Sequence, residues 1–199
     1  MSEKVRTPTA RKPLAFVDTE FTGFDLELHE VIEVAIIRVD YDGTITMWET
    51  RIKPQQIENA DQEAIEINGY KANPELWDDA PLFEVVAPKI LDLLAGAIIV
   101  GHNPKMDQAF LQAGLTRRQF EGKIPYHTID TVTLAYEHLV PCGLDGLSLS
   151  RIREFLGIDK TGQHTAMKDA EDAMYVYKTL VRATWMRRLY WRLRAWWRR

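Results

Sequence analysis

A chain of 199 residues and 23.0 kDa can fill one hydrophobic core but not two ordinary domains and a linker. Its 46% hydrophobic and 27% charged residues exclude disorder, a collagen-like rod and a membrane bundle. The net charge of −4 divides unevenly: all 29 acidic residues lie at or before Asp172, whereas seven of the 25 basic ones follow Val181, so residues 1–181 carry −11 and residues 182–199 carry +7.

The single cysteine, Cys142, cannot form an intramolecular disulfide, and Met1 to Lys12 has no apolar stretch of the kind that marks a secretory signal. A reducing cytoplasm is the expected location. The longest run of apolar residues and glycine, Leu93 to Gly101, falls well short of the ~20 residues that cross a bilayer. No internal repeat or flexible linker interrupts the chain. The expected organisation is a mobile lead-in over 1–12, one domain over 13–181 and a basic tail over 182–199.

Leu14 to Asp18 reads as a short strand ending in acid. Val31 to Val39 and Thr44 to Ile52 alternate around Tyr41-Asp42-Gly43, a hairpin signal. Helical spacing covers Asn59 to Ile67 and Leu82 to Leu94, the second with Pro81 at the first helical position. Ala97 to Gly101 predicts a buried strand, Lys105 to Ala113 a helix and Tyr126 to Asp130 a fifth strand. Ser148 caps a helix over Leu149, Ile152, Phe155 and Leu156 that stops at Gly157, and a last helix begins near Thr165. Strands first, then helices interleaved with single strands, predict an α/β domain on a mixed sheet.

Three acidic patterns carry the chemistry. Asp18 and Glu20, two apart at a strand end, point to the same face, where two anions repel unless a cation lies between them. Asp107 falls in the first turn of a helix that follows a buried strand, a place where an acid also complements the helix dipole. His164 and Asp169 are five apart. If both were helical they would turn through ~500° and miss each other, so His164 belongs on the loop before the helix, beside the flexible Gly162, with Asp169 facing inward.

Asp18-x-Glu20, Asp107 and His164-x4-Asp169, in this order and on these elements, closely resemble the DEDDh (DnaQ-like) family of 3′ to 5′ exonucleases, the group that contains the epsilon proofreading subunit of bacterial DNA polymerase III. The flanks agree: Phe16-Val17-Asp18-Thr19-Glu20-Phe21-Thr22-Gly23, Val31-Ile32-Glu33, Ala64 to Tyr70 and His102-Asn103. The resemblance spans roughly residues 14–181. It implies a ribonuclease-H-like mixed sheet of five strands flanked by helices and hydrolysis of phosphodiester bonds at single-stranded 3′ ends of DNA or RNA. Four carboxylates without a thiolate form a hard-oxygen set suited to two Mg²⁺ or Mn²⁺ ions, which at ~3.5–4 Å separation clamp an in-line displacement at phosphorus. By resemblance, Asp18 bridges both ions, Glu20 and Asp169 hold the ion that carries the attacking water, Asp107 helps hold the leaving-group ion and His164 deprotonates the water. Thr165 stands where the related tyrosine subclass has Tyr, which favours the histidine subclass. His29, His127 and His138 are expected on the surface or in packing.

The same resemblance makes Phe24 and Ile67 an apolar wedge for terminal bases, brings the backbone around Thr19 to Thr22 against the last nucleotide and assigns polar contacts to Asn68 and Asn103. Asn68 replaces a common His, Phe21 a common Thr and Met106 a common Phe. These departures touch the substrate pocket and not the metal ligands.

The tail holds four of the six tryptophans. As a helix it carries Trp185, Leu189, Leu193 and Trp196 on one stripe, with Arg187, Arg188, Arg194 and Arg198 largely off it, and Trp191 and Arg192 between them. Aromatics interleaved with arginines suit a nucleic acid, a polymerase or other protein partner, a membrane surface or the chain's own body. Capture of a polyanion by an acidic body favours the first.

Overall fold

The computed structural model describes residues 12–159, 165–183, 186 and 189–193. Expectations for residues 1–11, for His164, for Trp185 and Trp196 and for Arg187, Arg188, Arg194 and Arg198 lie outside the described residues.

Five strands form one mixed sheet: β1 (Leu14–Phe21), β2 (Val31–Val39), β3 (Ile45–Arg51), β4 (Ile98–Gly101) and β5 (Thr128–Asp130), in the spatial order β3-β2-β1-β4-β5. The first three are antiparallel neighbours, while β4 pairs parallel with β1 and β5 parallel with β4. The helices are α1 (Gln62–Ile67), α2 (Phe83–Leu94), α3 (Pro104–Arg117), α4 (Thr131–His138), α5 (Leu149–Leu156) and α6 (Ala166–Val181).

Alternation along β1 divides the core. Ala15 and Val17 face α2 and α3 in a cluster with Ile90, Leu94, Phe110 and Leu111, whereas Phe16 faces α6 in a cluster with Ala35, Ile37, Val100, Ala166 and Ala170. A third cluster joins Ala135, Leu139, Ile152 and Val176 to Trp191, which is 4% exposed, and Arg192 Nε donates to the Pro141 carbonyl at 3.2 Å. Part of the basic tail therefore packs on the body, with Trp191 turned inward. Leu189, Tyr190 and Leu193 face solvent.

Several boundaries move from their expected places. β1 runs on to Phe21 and carries both acids inside the strand, and the Glu20/Phe21 step is irregular in its pairing with β2, the kind of bulge that re-aims strand-end side chains. α1 starts at Gln62 because the Asp61 side chain caps it, and a 3-10 turn occupies Ile57–Asn59. Pro81 lies ahead of the helix it was expected to open, since Leu82 is the N-cap of α2. α4 was not foreseen: Thr131-Val132-Thr133 has strand-like residues, but Asp130 accepts from Val132 N and caps a helix there.

Candidate active site

Asp18 and Glu20 lie on the α6 face of β1, as the two-residue period requires. Thr19 lies on the opposite face and donates its hydroxyl to Asp107 Oδ1 at 2.6 Å. α3 comes close enough because Gly101 ends β4 without a side chain: a Cβ there would approach the Val17 carbonyl oxygen to 2.9 Å. Asn103 then adopts a left-handed conformation, φ 67°, and its backbone N–H is held by Asp130 Oδ1 at 3.1 Å, which turns the chain into α3. Asp107 enters the first turn of that helix at 5% exposure.

The four acids act on one another. Burial first, and then the charges of Asp107, Asp169 and Glu20, push the Asp18 carboxyl well above its ordinary range, with Arg153 opposing. Burial and the charges of Asp169, Glu33 and Asp107 push Glu20 up to about 8. Burial pushes Asp107 up to about 7 despite the Thr19 hydroxyl, which favours the anion. This cleft withholds solvation from negative charge while concentrating it. An oxygen-donor set strained in this way fits a hard divalent cation. Among the described residues, however, no three His, Cys, Asp or Glu side chains already stand in a metal-holding arrangement. Asp107 is taken by Thr19 and Asp169 by a guanidinium, so the donors share a field rather than a formed coordination shell.

That guanidinium belongs to Arg153, in a position at which sequence reasoning placed no function. Glu33 was also missed as a functional residue. It is the cross-strand neighbour of Glu20, and its Oε1 accepts the backbone N–H of Ala166, the first residue of α6, at 3.0 Å. Thr165 accepts from Lys168 N as the side-chain cap of the same helix. Together they set the height of Asp169 relative to β1. His102 lies nearby with its Nδ1 3.1 Å from Thr131 Oγ1, and burial lowers its pKa.

The expected substrate residues divide into two groups. Phe24 and Ile67 are 71% and 54% exposed and line one cavity of about 180 Å³ with Glu20, Gly23, Asp61, Glu63 and Asn68. Neither belongs to the core, and both border a cavity that reaches Glu20. Thr22, Thr19 and Asn68 are engaged internally instead. Thr22 is buried and accepts the Glu30 N–H at 2.9 Å; Asn68 donates from Nδ2 to the Phe21 carbonyl at 2.9 Å and accepts from Tyr70 N at 3.1 Å. These three shape the strand end, because a buried polar side chain must satisfy its own hydrogen bonds first. Asn103 keeps an exposed side chain.

The exonuclease family profile matches residues 15–177. The chain belongs to the exonuclease family. This exonuclease domain is 29% identical over 187 residues to the DNA polymerase III epsilon subunit of Aquifex aeolicus, covering 94% of this chain and 89% of that one. It is 30% identical over 166 residues to the PolC-type DNA polymerase III of Thermotoga maritima, covering 83% of this chain but only 12% of that polymerase. The zinc-bound complex of E. coli exonuclease I with single-stranded DNA has the same fold, with a TM-score of 0.73 at 21% identity over 90% of this chain and 42% of that one. This agrees with the expected ribonuclease-H-like sheet. The exonuclease fold thus gathers Asp18, Glu20, Asp107 and Asp169 at one end of the sheet. Thr19→Val would leave buried Asp107 without its side-chain donor. It is expected to cost ~1–3 kcal/mol in urea unfolding and to lower turnover by about 10–100-fold in a steady-state assay.

Proposed function

We propose that this chain is a metal-dependent 3′ to 5′ exonuclease that hydrolyses phosphodiester bonds at single-stranded 3′ ends of DNA in the cytoplasm and releases nucleoside 5′-monophosphates. The observation that carries this reading is the electrostatic meeting of Asp18, Glu20, Asp107 and Asp169 beside a cavity bordered by Phe24 and Ile67. The kinship with a polymerase III epsilon subunit supports DNA as substrate and a polymerase as partner.

Asp18, Glu20, Asp107 and Asp169 would hold two Mg²⁺ or Mn²⁺ ions, which when bound supply Lewis-acid stabilisation of the phosphoryl oxygens and a hydroxide-like nucleophile. The chain's own residues do the rest. Thr19 holds Asp107, Glu33 and Thr165 set α6, and the exposed rings and methyls of Phe24 and Ile67 receive the terminal base. Asn103 offers its free amide to the substrate. His164, two residues ahead of Ala166, takes the proton from the attacking water, a role its ordinary pKa of ~6.5 allows at physiological pH.

The decisive experiment uses labelled single-stranded DNA and RNA of matched sequence with Mg²⁺ or Mn²⁺. Stepwise shortening of DNA from the 3′ end, stopped by EDTA, is the expected result. Preferential shortening of RNA would instead identify an RNA-trimming enzyme, and shortening of neither would identify a non-catalytic nucleic-acid or polymerase adaptor.

Substrate capture by a body of −11 needs positive charge from elsewhere, and the tail is the largest source. We assign it that role, with Arg187, Arg188, Arg192, Arg194 and Arg198 on phosphates. If all seven arginines met phosphates, the salt slope of binding would be about −5. Because Trp191 is part of the packed body, removal of the whole tail would confound binding with stability. Removing residues 194–199 deletes Arg194, Arg198 and Arg199 and spares Trp191. Fluorescence anisotropy across a salt series should then show a slope shallower by about 2, with an unchanged melting temperature. An unaltered slope would turn the tail over to a protein partner or a membrane surface.

A further inference from the structure

Position 153 breaks the pattern of its own helix. In α5 the inward stripe of buried Leu149, Ile152 and position 153 and half-buried Leu156 follows i, i+3, i+4, i+7 spacing, which calls for an apolar residue at each place. The residue there is Arg153, at 1% exposure one of the largest fully buried side chains among the described residues. Its Nε donates to Asp172 Oδ2 at 2.6 Å and its Nη2 to Asp169 Oδ1 at 2.5 Å. Asp172 is itself fully engaged, since Lys168 Nζ donates to its other oxygen at 2.8 Å. A buried arginine is costly, and Asp172 already has Lys168 as a partner, so packing alone does not call for this charge. A locked Asp172 aims the guanidinium, and the guanidinium in turn grips one oxygen of Asp169.

We propose that Arg153 is a positioning residue of the metal site: a resident cation that fixes Asp169 by one oxygen, leaves the other for a divalent ion and keeps the cluster from binding that ion too tightly. The inference rests on the metal-site reading given above. Burial and the bond to Asp172 hold the guanidinium in place, so Asp169 presents a single oxygen in one orientation. The same positive charge opposes the rise that burial and the neighbouring acids impose on Asp18 and adds to the lowering that burial imposes on His102, which places it within electrostatic reach of the cleft. Positive charge this close repels an arriving divalent ion, while the rigid fork improves the geometry of the ligand.

Calorimetric Mn²⁺ titration and oligonucleotide turnover on the full chain separate these effects. Arg153→Met should bind Mn²⁺ about tenfold more tightly and turn over about 100-fold more slowly at saturating Mn²⁺. Arg153→Lys keeps the charge and loses the fork, so it should bind Mn²⁺ within about threefold of wild type and turn over about tenfold more slowly. A purely structural arginine would weaken binding and turnover together, and that result in Arg153→Met would overturn the proposal. If Arg153→Met does not fold by circular dichroism, Arg153→Lys decides, and wild-type turnover there overturns the proposal. Absence of Mn²⁺ binding in the wild type, or its persistence in Asp18→Asn, overturns the metal-site reading itself and this inference with it.

Discussion

Asp18→Asn is expected to abolish exonuclease activity while making the metal-free protein more stable. Asp18 lies in the middle of the acidic cluster, where burial and the charges of Asp107, Asp169 and Glu20 all disfavour its anion. Replacing the carboxylate by an isosteric amide removes that repulsion and keeps the shape. The expected gain is ~1–2 kcal/mol, or about 2–8 °C in melting temperature for a chain of this size. Arg153 opposes the effect, since its charge favours the anion of Asp18, and this limits the gain. The same substitution removes the donor assigned to both ions, so turnover should fall by at least about 10³-fold, given what charge stabilisation at phosphorus contributes. Saturating Mn²⁺ should stabilise the wild type and leave the variant almost unmoved. A variant that melts lower than wild type in EDTA would show that Asp18 is a structural acid held by Arg153 and not a strained ligand.

The second large effect is on pH. Glu20 moves from an ordinary 4.5 to about 8, and Asp107 from 3.8 to about 7. Between these limits the folded protein retains protons that the unfolded chain has already lost. Unfolding therefore releases protons in this window, and stability falls as pH rises through it, levelling off above about 8. The melting temperature in EDTA should be lower at pH 8 than at pH 5 by about 5–10 °C. Saturating Mg²⁺ or Mn²⁺ should cancel the decline, because a bound cation favours the ionised carboxylates and displaces their protons. Near pH 7 that displacement would make the measured binding enthalpy depend on the buffer. A melting temperature flat from pH 5 to 8 in EDTA would contradict the whole electrostatic account of the cleft.

Much of this site was legible in the chain because its first requirements are local. A strand forces residues two apart onto one face, so Asp18-x-Glu20 shows a paired-acid edge without any knowledge of the fold. Asp107 follows a Gly-His-Asn-Pro break that can only be a strand-to-helix turn, and Ser148 and Gly157 mark both ends of α5 correctly. The same local reasoning passed over Thr131-Val132-Thr133, where strand-like residues are drawn into a helix by the Asp130 cap. It assigned Asn68 a polar contact with substrate, and the fold shows both ends of that amide engaged with the chain's own backbone. In the tail it grouped Leu189 and Leu193 into a stripe and set Trp191 aside, yet Trp191 packs on the body while Leu189 and Leu193 face solvent. A helical wheel shows which residues share a face but not which face meets the body.

The identity of the donors, the order of the elements and the division into an acidic body and a basic tail were determined by the sequence alone. The tertiary structure decided what each donor touches. Thr19 meets Asp107 across 88 positions, Glu33 reaches Ala166 across 133 and Arg153 holds Asp169 across 16. Contacts over such separations follow from how a sheet and its helices pack, which no spacing rule encodes. They also set the charge and the orientation of each carboxylate, because the solvation and hydrogen bonds of a buried acid are supplied by whatever the fold brings beside it.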